Sequence, residues 1–134
     1  MLVTTIWIAV GGALGSVVRF WVAEATSTYF STTDFPWGTI IANVSGCFLI
    51  GFFATLTGPD GRVFAGPQTR QFVMIGVFGG YTTFSSFSLQ TLMLVQEGEW
   101  LQAGANVGIS VIVCLIAVWL GHVAAAFLNQ MKGA

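Results

Sequence analysis

Gly79-Gly80-Tyr81-Thr82-Thr83-Phe84-Ser85-Ser86-Phe87-Ser88 lies in the middle of the third of four long apolar segments. A membrane-spanning helix would place this stretch near mid-bilayer. Each glycine weakens a helix by about 1 kcal/mol relative to alanine. Unpaired backbone groups are not tolerated against lipid, so a break here must face protein or a water-filled path. The stretch therefore predicts a third helix broken near its middle, at the glycine pair. It also predicts that the break borders a permeation pathway or an ion site.

Working outward, the other apolar segments run from about Leu2 to Ala23, from about Trp37 to Leu56 and from about Leu101 to Leu128. The third itself runs from about Phe72 to Val95. Each is near or above the ~20 residues that cross the hydrocarbon core. Glu24 to Pro36 is a polar connector rich in Ser and Thr that carries Asp34. Thr57 to Arg70 holds the turn signals Pro59-Asp60-Gly61 and Gly66-Pro67. Gln96 to Trp100 is so short that the third and fourth segments must form an antiparallel hairpin. The fold class is an all-α membrane protein of four transmembrane helices, in a single domain over 1–134.

Composition agrees. The chain has 134 residues, 55% hydrophobic and only 7% charged. A soluble domain carries about 25% charged residues and needs them to cover its surface. The net charge of −1 gives no nucleic-acid footprint, so the lipid bilayer is the expected surrounding. Cys47 and Cys114 both fall inside apolar segments and read as small packing residues. The N-terminal segment lacks a basic leader and carries Gly11, Gly12, Gly15 and Arg19, so it reads as a retained span.

Four spans put both termini and the central connector on one side. That side carries Arg62, Arg70 and Lys132, while the other has no loop Lys or Arg. The positive-inside rule then favours cytoplasmic termini. The bias rests on so few charges that insertion in both orientations is allowed.

Within the spans, Gly11, Gly15 and Arg19 share one helix face. The glycines suit close helix packing. Arg19, about a turn from the end of its apolar segment, either snorkels to the interface or sets a fixed positive charge near an aqueous vestibule. In the second span, Pro36 and Trp37 mark an interfacial start, and Thr39, Asn43 and Gly46 follow one face. Asn43 serves either an interhelical hydrogen bond or a pore as an amide donor. In the third span, Phe84 and Phe87 share a face, with Thr83, Ser86 and Ser88 nearby. Phenylalanine edges are electropositive, so they can contact a small anion without a full charge that would trap it. Carbonyls freed from Gly79 to Thr82 would suit an alkali cation. Asn106, Ser110 and Cys114 form a polar stripe on the fourth span, with Gly104 and Gly108 nearby, and His122 reads as interfacial. No span has a central Asp, Glu or Lys, and no nucleophile–base pair, P-loop or metal-ligand cluster occurs. An enzyme and a carboxylate-coupled transporter are both disfavoured.

These residues resemble the Fluc (CrcB) family of fluoride export channels. The matching pieces are Gly11-Gly12 with Gly15 and Arg19, Pro36-Trp37-Gly38-Thr39 with Asn43, and the ten residues from Gly79 to Ser88. The resemblance implies an antiparallel, dual-topology homodimer with two fluoride pores in the cell (inner or plasma) membrane. It implies a passive channel, with fluoride as the ion carried. It also implies a structural Na⁺ at the dimer centre, held by backbone carbonyls of Gly79 and Thr82. Phe84 and Phe87 match fluoride-facing phenylalanines, Asn43 a pore-lining amide, Ser110 a fourth-span lining position and Arg19 a vestibule residue. Thr39, Thr83 and Ser86 complete the expected fluoride pathway. Gln90, Asn106 and Cys114 depart from the family's usual residues.

Two other functions fit a four-span outline. A small multidrug-type exporter would need a membrane-embedded carboxylate in its first span, and Glu24 stands too near the end of that apolar segment. A non-transporting membrane scaffold would leave the third-span run of glycines and hydroxyls unexplained.

Overall fold

The structure, a computed structural model, describes residues 1–30 and 35–131. Asp34 of the first connector and Lys132 of the charge count lie outside the described residues. Four helical spans, Leu2–Tyr29, Trp37–Leu56, Pro67–Gln96 and Trp100–Gln130, are long and apolar enough to cross a membrane. The outer faces carry bare apolar side chains such as Phe20, Leu115 and Phe127, each about 60% exposed. Lipid would cover such faces at no cost. The buried interior is narrow and built from small residues, among them Ala42, Ala103, Ala117 and Ala125. The chain is a multi-pass membrane protein.

Helices α1 (Leu2–Tyr29), α2 (Trp37–Leu56) and α6 (Trp100–Gln130) are continuous. The third span is segmented into α3 (Pro67–Gln71), a π-helical stretch (Phe72–Phe78), α4 (Gly79–Tyr81) and α5 (Phe84–Gln96). Helix α1 outruns its apolar segment: it continues through Glu24 to Tyr29. Its 28 residues reach about 42 Å at 1.5 Å per residue, against a hydrocarbon core of about 30 Å. Arg19 is thus well inside the helix rather than one turn from its end.

The third span is interrupted near its middle, as the sequence predicts, but not at the glycine pair. Gly79 and Gly80 remain helical. The chain unwinds at Thr82 (φ −85°, ψ 156°) and Thr83 (φ −153°, ψ 114°). Gly80 meets another need, close approach. Helix α1 and the first half of the third span run side by side in the same direction. Trp7 packs edge-on against Phe72 with ring centroids 5.6 Å apart, Gly11 faces Gly76, and Gly15 faces Gly80 and Tyr81. A Cβ on Gly80 would lie 2.9 Å from the Gly12 Cα, so any side chain there would force the backbones apart. The π-helical pairing of Phe72–Phe78 had no sequence signal.

Helices α2 and α6 pair in the same parallel sense. Gly51 abuts the Val118 backbone and Gly121 that of Phe48. Thr55 Oγ1 and His122 Nδ1 share a hydrogen bond of 2.8 Å, which places His122 on an exposed rim. Gly104 and Gly108, by contrast, have no atom within 4 Å of a built Cβ and take no part in this packing. Arg70 closes this same C-terminal end of α2. Its Nη1 donates to the Thr57 carbonyl at 2.8 Å, to the Ala54 carbonyl at 3.4 Å and to the Thr57 hydroxyl. Those carbonyls are ones a helix C-terminus leaves unpaired. The turn between α5 and α6 holds Gly98 at φ 81°, and the two helices form the expected antiparallel hairpin.

Candidate functional site

The site is organised by the unwound pair Thr82-Thr83. An interruption inside a membrane span must satisfy its own backbone groups. Asn43, projecting from α2, does so for Thr83: its Oδ1 accepts the Thr83 N–H at 2.7 Å, and its Nδ2 donates to the Thr83 carbonyl at 3.1 Å. Thr83 in turn caps α5, its Oγ1 accepting the Ser86 N–H at 3.2 Å. Threonine is a favoured residue for this role. The Thr83 hydroxyl also donates to Ser86 Oγ at 3.1 Å.

These bonds redirect two donors. In an unbroken helix the Thr83 N–H would serve the Gly79 carbonyl and the Ser86 N–H the Thr82 carbonyl. Both donors now go elsewhere, so both carbonyls lose their helical partners through one rearrangement. Among the described residues no group of three or more His, Cys, Asp or Glu comes together. The carbonyl oxygens freed at Gly79 and Thr82 are hard ligands of the kind that suits an alkali ion. The residues present fit Na⁺.

Beside the break lies a cavity of about 320 Å³. Its walls include Asn43, Thr82, Thr83, Phe84, Phe87 and Ser110, together with Cys47 and Cys114. An amide nitrogen carries two N–H donors. One on Asn43 is committed to Thr83, which leaves the second for the cavity. The α5 N-terminus adds the positive end of its helix dipole. Phe84 and Phe87 stand with ring centroids 5.1 Å apart and planes inclined at 50°. Phe87 is 7% exposed and Phe84 is 76% exposed, so one ring belongs to the protomer's interior and the other to an open flank. No lining residue carries a full charge. The arrangement offers an anion the second Asn43 N–H, the α5 terminus and two aromatic rings, with no opposite charge to hold it permanently.

Thr39 opens onto a different space of about 460 Å³, shared with Thr26, Ser27, Trp37 and Gln90. Gln90 Oε1 is buried there with no partner among the described residues. Arg19, partly buried on α1, lines neither cavity, and Ser86 serves the α5 cap without reaching the first cavity's wall.

The fourth-span stripe divides in two. Ser110 and Cys114 reach the first cavity. Asn106, only 1% exposed, is a strut: its Nδ2 donates to Thr91 Oγ1 at 2.9 Å and its Oδ1 accepts from Ser110 Oγ at 3.3 Å. Thr91 passes the chain on to the Phe87 carbonyl at 2.8 Å. Sequence reasoning treated Cys47 as mere packing. Its spacing of four from Asn43 on one helix face was the available signal that it reaches the same wall.

A family model described as CrcB-like protein, Camphor Resistance (CrcB), matches residues 6–122. A protein of Methylocella silvestris named fluoride-specific ion channel FluC is 58% identical over 133 residues, covering 96% of this chain and 98% of its own. Proteins of that name from Opitutus terrae and Rhodospirillum rubrum are each 58% identical. They cover 96% and 95% of this chain, and 96% and 98% of their own lengths.

Proposed function

The chain belongs to the CrcB-like family, and on that premise we propose that it is a fluoride-selective passive channel, not an enzyme, which lets cytoplasmic fluoride leave the cell across the inner or plasma membrane. The observation that carries this reading is the cavity at the Thr82-Thr83 break. There the spare Asn43 N–H, the N-terminus of α5 and the rings of Phe84 and Phe87 meet without a full charge, beside the Thr83 and Ser110 hydroxyls, whose protons go to Ser86 and Asn106. Fluoride is small and strongly hydrated. Stripping its water requires replacement donors in a narrow path, and a fixed cation would bind it too well to release it. Export needs no fuel. Fluoride enters as its neutral acid and ionises inside, and an outward anion gains about 2.3 kcal/mol per 100 mV of membrane potential.

The working unit in this reading is an antiparallel homodimer. Phe84 and Gly79 are both exposed in the single chain, so a lone protomer leaves its pathway open on one flank. A second copy in the opposite orientation would close it, and the slight loop-charge bias permits both orientations. The Gly79 and Thr82 carbonyls of the two copies then supply four oxygens for Na⁺ at the centre. When bound, Na⁺ would tie the two interrupted spans together. Arg19 and Thr39 belong to the approaches of the pathway and Ser86 to the support of Thr83.

Fluoride efflux from proteoliposomes tests the reading, with K⁺ and valinomycin carrying the balancing charge and chloride as the control anion. Rapid fluoride release without chloride release is the expected result. No release from a folded dimer in Na⁺ would overturn it and leave the break a structural feature.

A further inference from the structure

Cys47 and Cys114 come from different helices, yet both reach the wall of the cavity at the break. Both are free and partly exposed. Helices α2 and α6 hold them at matching heights. Backbone contact between Gly51 and Val118 one turn further along fixes the spacing of the two helices. The fluoride reading gives neither thiol a task.

Thiolates are soft ligands that select soft d¹⁰ cations over Mg²⁺, Ca²⁺ and Na⁺. Two thiolates on one divalent cation also make a neutral unit. That matters inside a span, where an isolated charge is costly. Ser110 and the open cavity leave room for further oxygen ligands or water. We propose that Cys47 and Cys114 form a binding site for a soft, thiophilic divalent cation, and that an ion held there obstructs the cavity. Binding breaks two S–H bonds, forms two metal–sulfur bonds and releases two protons to solvent, with no change of oxidation state. The obstruction rests on the fluoride reading, whereas the binding does not.

Cd²⁺ is the probe, with Mg²⁺ as the hard-ion control, on the full-length protein in detergent and in proteoliposomes. Binding is read from the ultraviolet thiolate-to-Cd²⁺ charge-transfer band and obstruction from fluoride efflux. The expected result is a band that a chelator reverses, with loss of most efflux over the same Cd²⁺ range. C47S and C114S should each weaken Cd²⁺ binding by at least about tenfold, since even outer-shell partners of a metal contribute that much. Should a serine variant fail to fold, wild-type protein alkylated with N-ethylmaleimide decides the same point by losing the band. A band without any loss of efflux upholds the site and overturns the obstruction. No band in the wild type, or an equal band after alkylation, overturns the site itself.

Discussion

Asn43 holds both backbone groups of Thr83, accepting its N–H at 2.7 Å and donating to its carbonyl at 3.1 Å. One amide on α2 thereby does for the interrupted span what a neighbouring strand would do for a sheet. It also explains why a break can persist in an apolar segment. The same amide keeps one N–H for the cavity, so in the proposed channel structure and permeation would converge on a single side chain.

Replacing it separates the two roles. Asn43→Ala strands the Thr83 N–H and carbonyl and should lower stability by about 2 kcal/mol or more, at roughly 1–3 kcal/mol per unsatisfied group. Asn43→Asp keeps an oxygen for the Thr83 N–H but presents no N–H to an anion. It should fail to pass fluoride, and its part-buried carboxylate, facing the Thr83 carbonyl, should cost stability of its own. Thermal melting beside proteoliposome efflux checks both, and undiminished flux in Asn43→Asp would remove the amide from the pathway.

The two phenylalanines sit in opposite surroundings, so equal substitutions should have unequal costs. Phe87, 7% exposed, borders the Asn106–Thr91 strut, and Phe87→Ile should destabilise the protomer by up to about 1.5 kcal/mol. Phe84, 76% exposed, should tolerate isoleucine within about 0.5 kcal/mol. Efflux should fall in both, because isoleucine has no electropositive edge. A Phe84→Ile protein that conducts normally would favour a non-transporting role for the motif.

Glycine predictions follow from what a methyl group would meet. Gly80→Ala drives a Cβ against the Gly12 backbone and should cost about 1–3 kcal/mol as an overpacked contact. Gly104→Ala meets nothing within 4 Å in the protomer and should be neutral, or stabilising by up to about 1 kcal/mol through helix propensity. Differential melting of the two variants is the check.

Much of this architecture is legible because bilayer thickness imposes a length on apolar segments, and the second span matched its helix end for end. The place of the break was not, because glycine is ambiguous. At Gly79-Gly80 the low helix propensity suggested unwinding, yet close packing against α1 keeps both residues helical. The unwinding falls on two threonines, where a partner 40 positions away, Asn43, supplies the missing bonds. No local pattern reports a partner that distant. The convergence of Asn43, Phe87 and Ser110 was half legible: each lay on a polar or aromatic stripe, but which stripes face one another depends on the parallel pairing of α2 with α6. The diversion of Asn106 into a strut depends on Thr91, whose hydroxyl gave no signal within its own segment.

In the proposed dimer, Na⁺ at the break should behave as a ligand of the folded state. The Gly79 and Thr82 carbonyls have lost their helical donors, and in a dry interior each unpaired carbonyl would cost about 1–3 kcal/mol. An ion that satisfies them binds the native state and not the unfolded chain, so the melting temperature should climb with the logarithm of Na⁺ concentration. At matched ionic strength, replacing Na⁺ by N-methylglucamine should lower both melting temperature and fluoride flux, and returning Na⁺ should restore them. General screening would respond to ionic strength alone and would not distinguish the two cations. Identical melting and flux in the two salts would therefore show that the freed carbonyls are satisfied by water or by the partner chain, and that no Na⁺ is required.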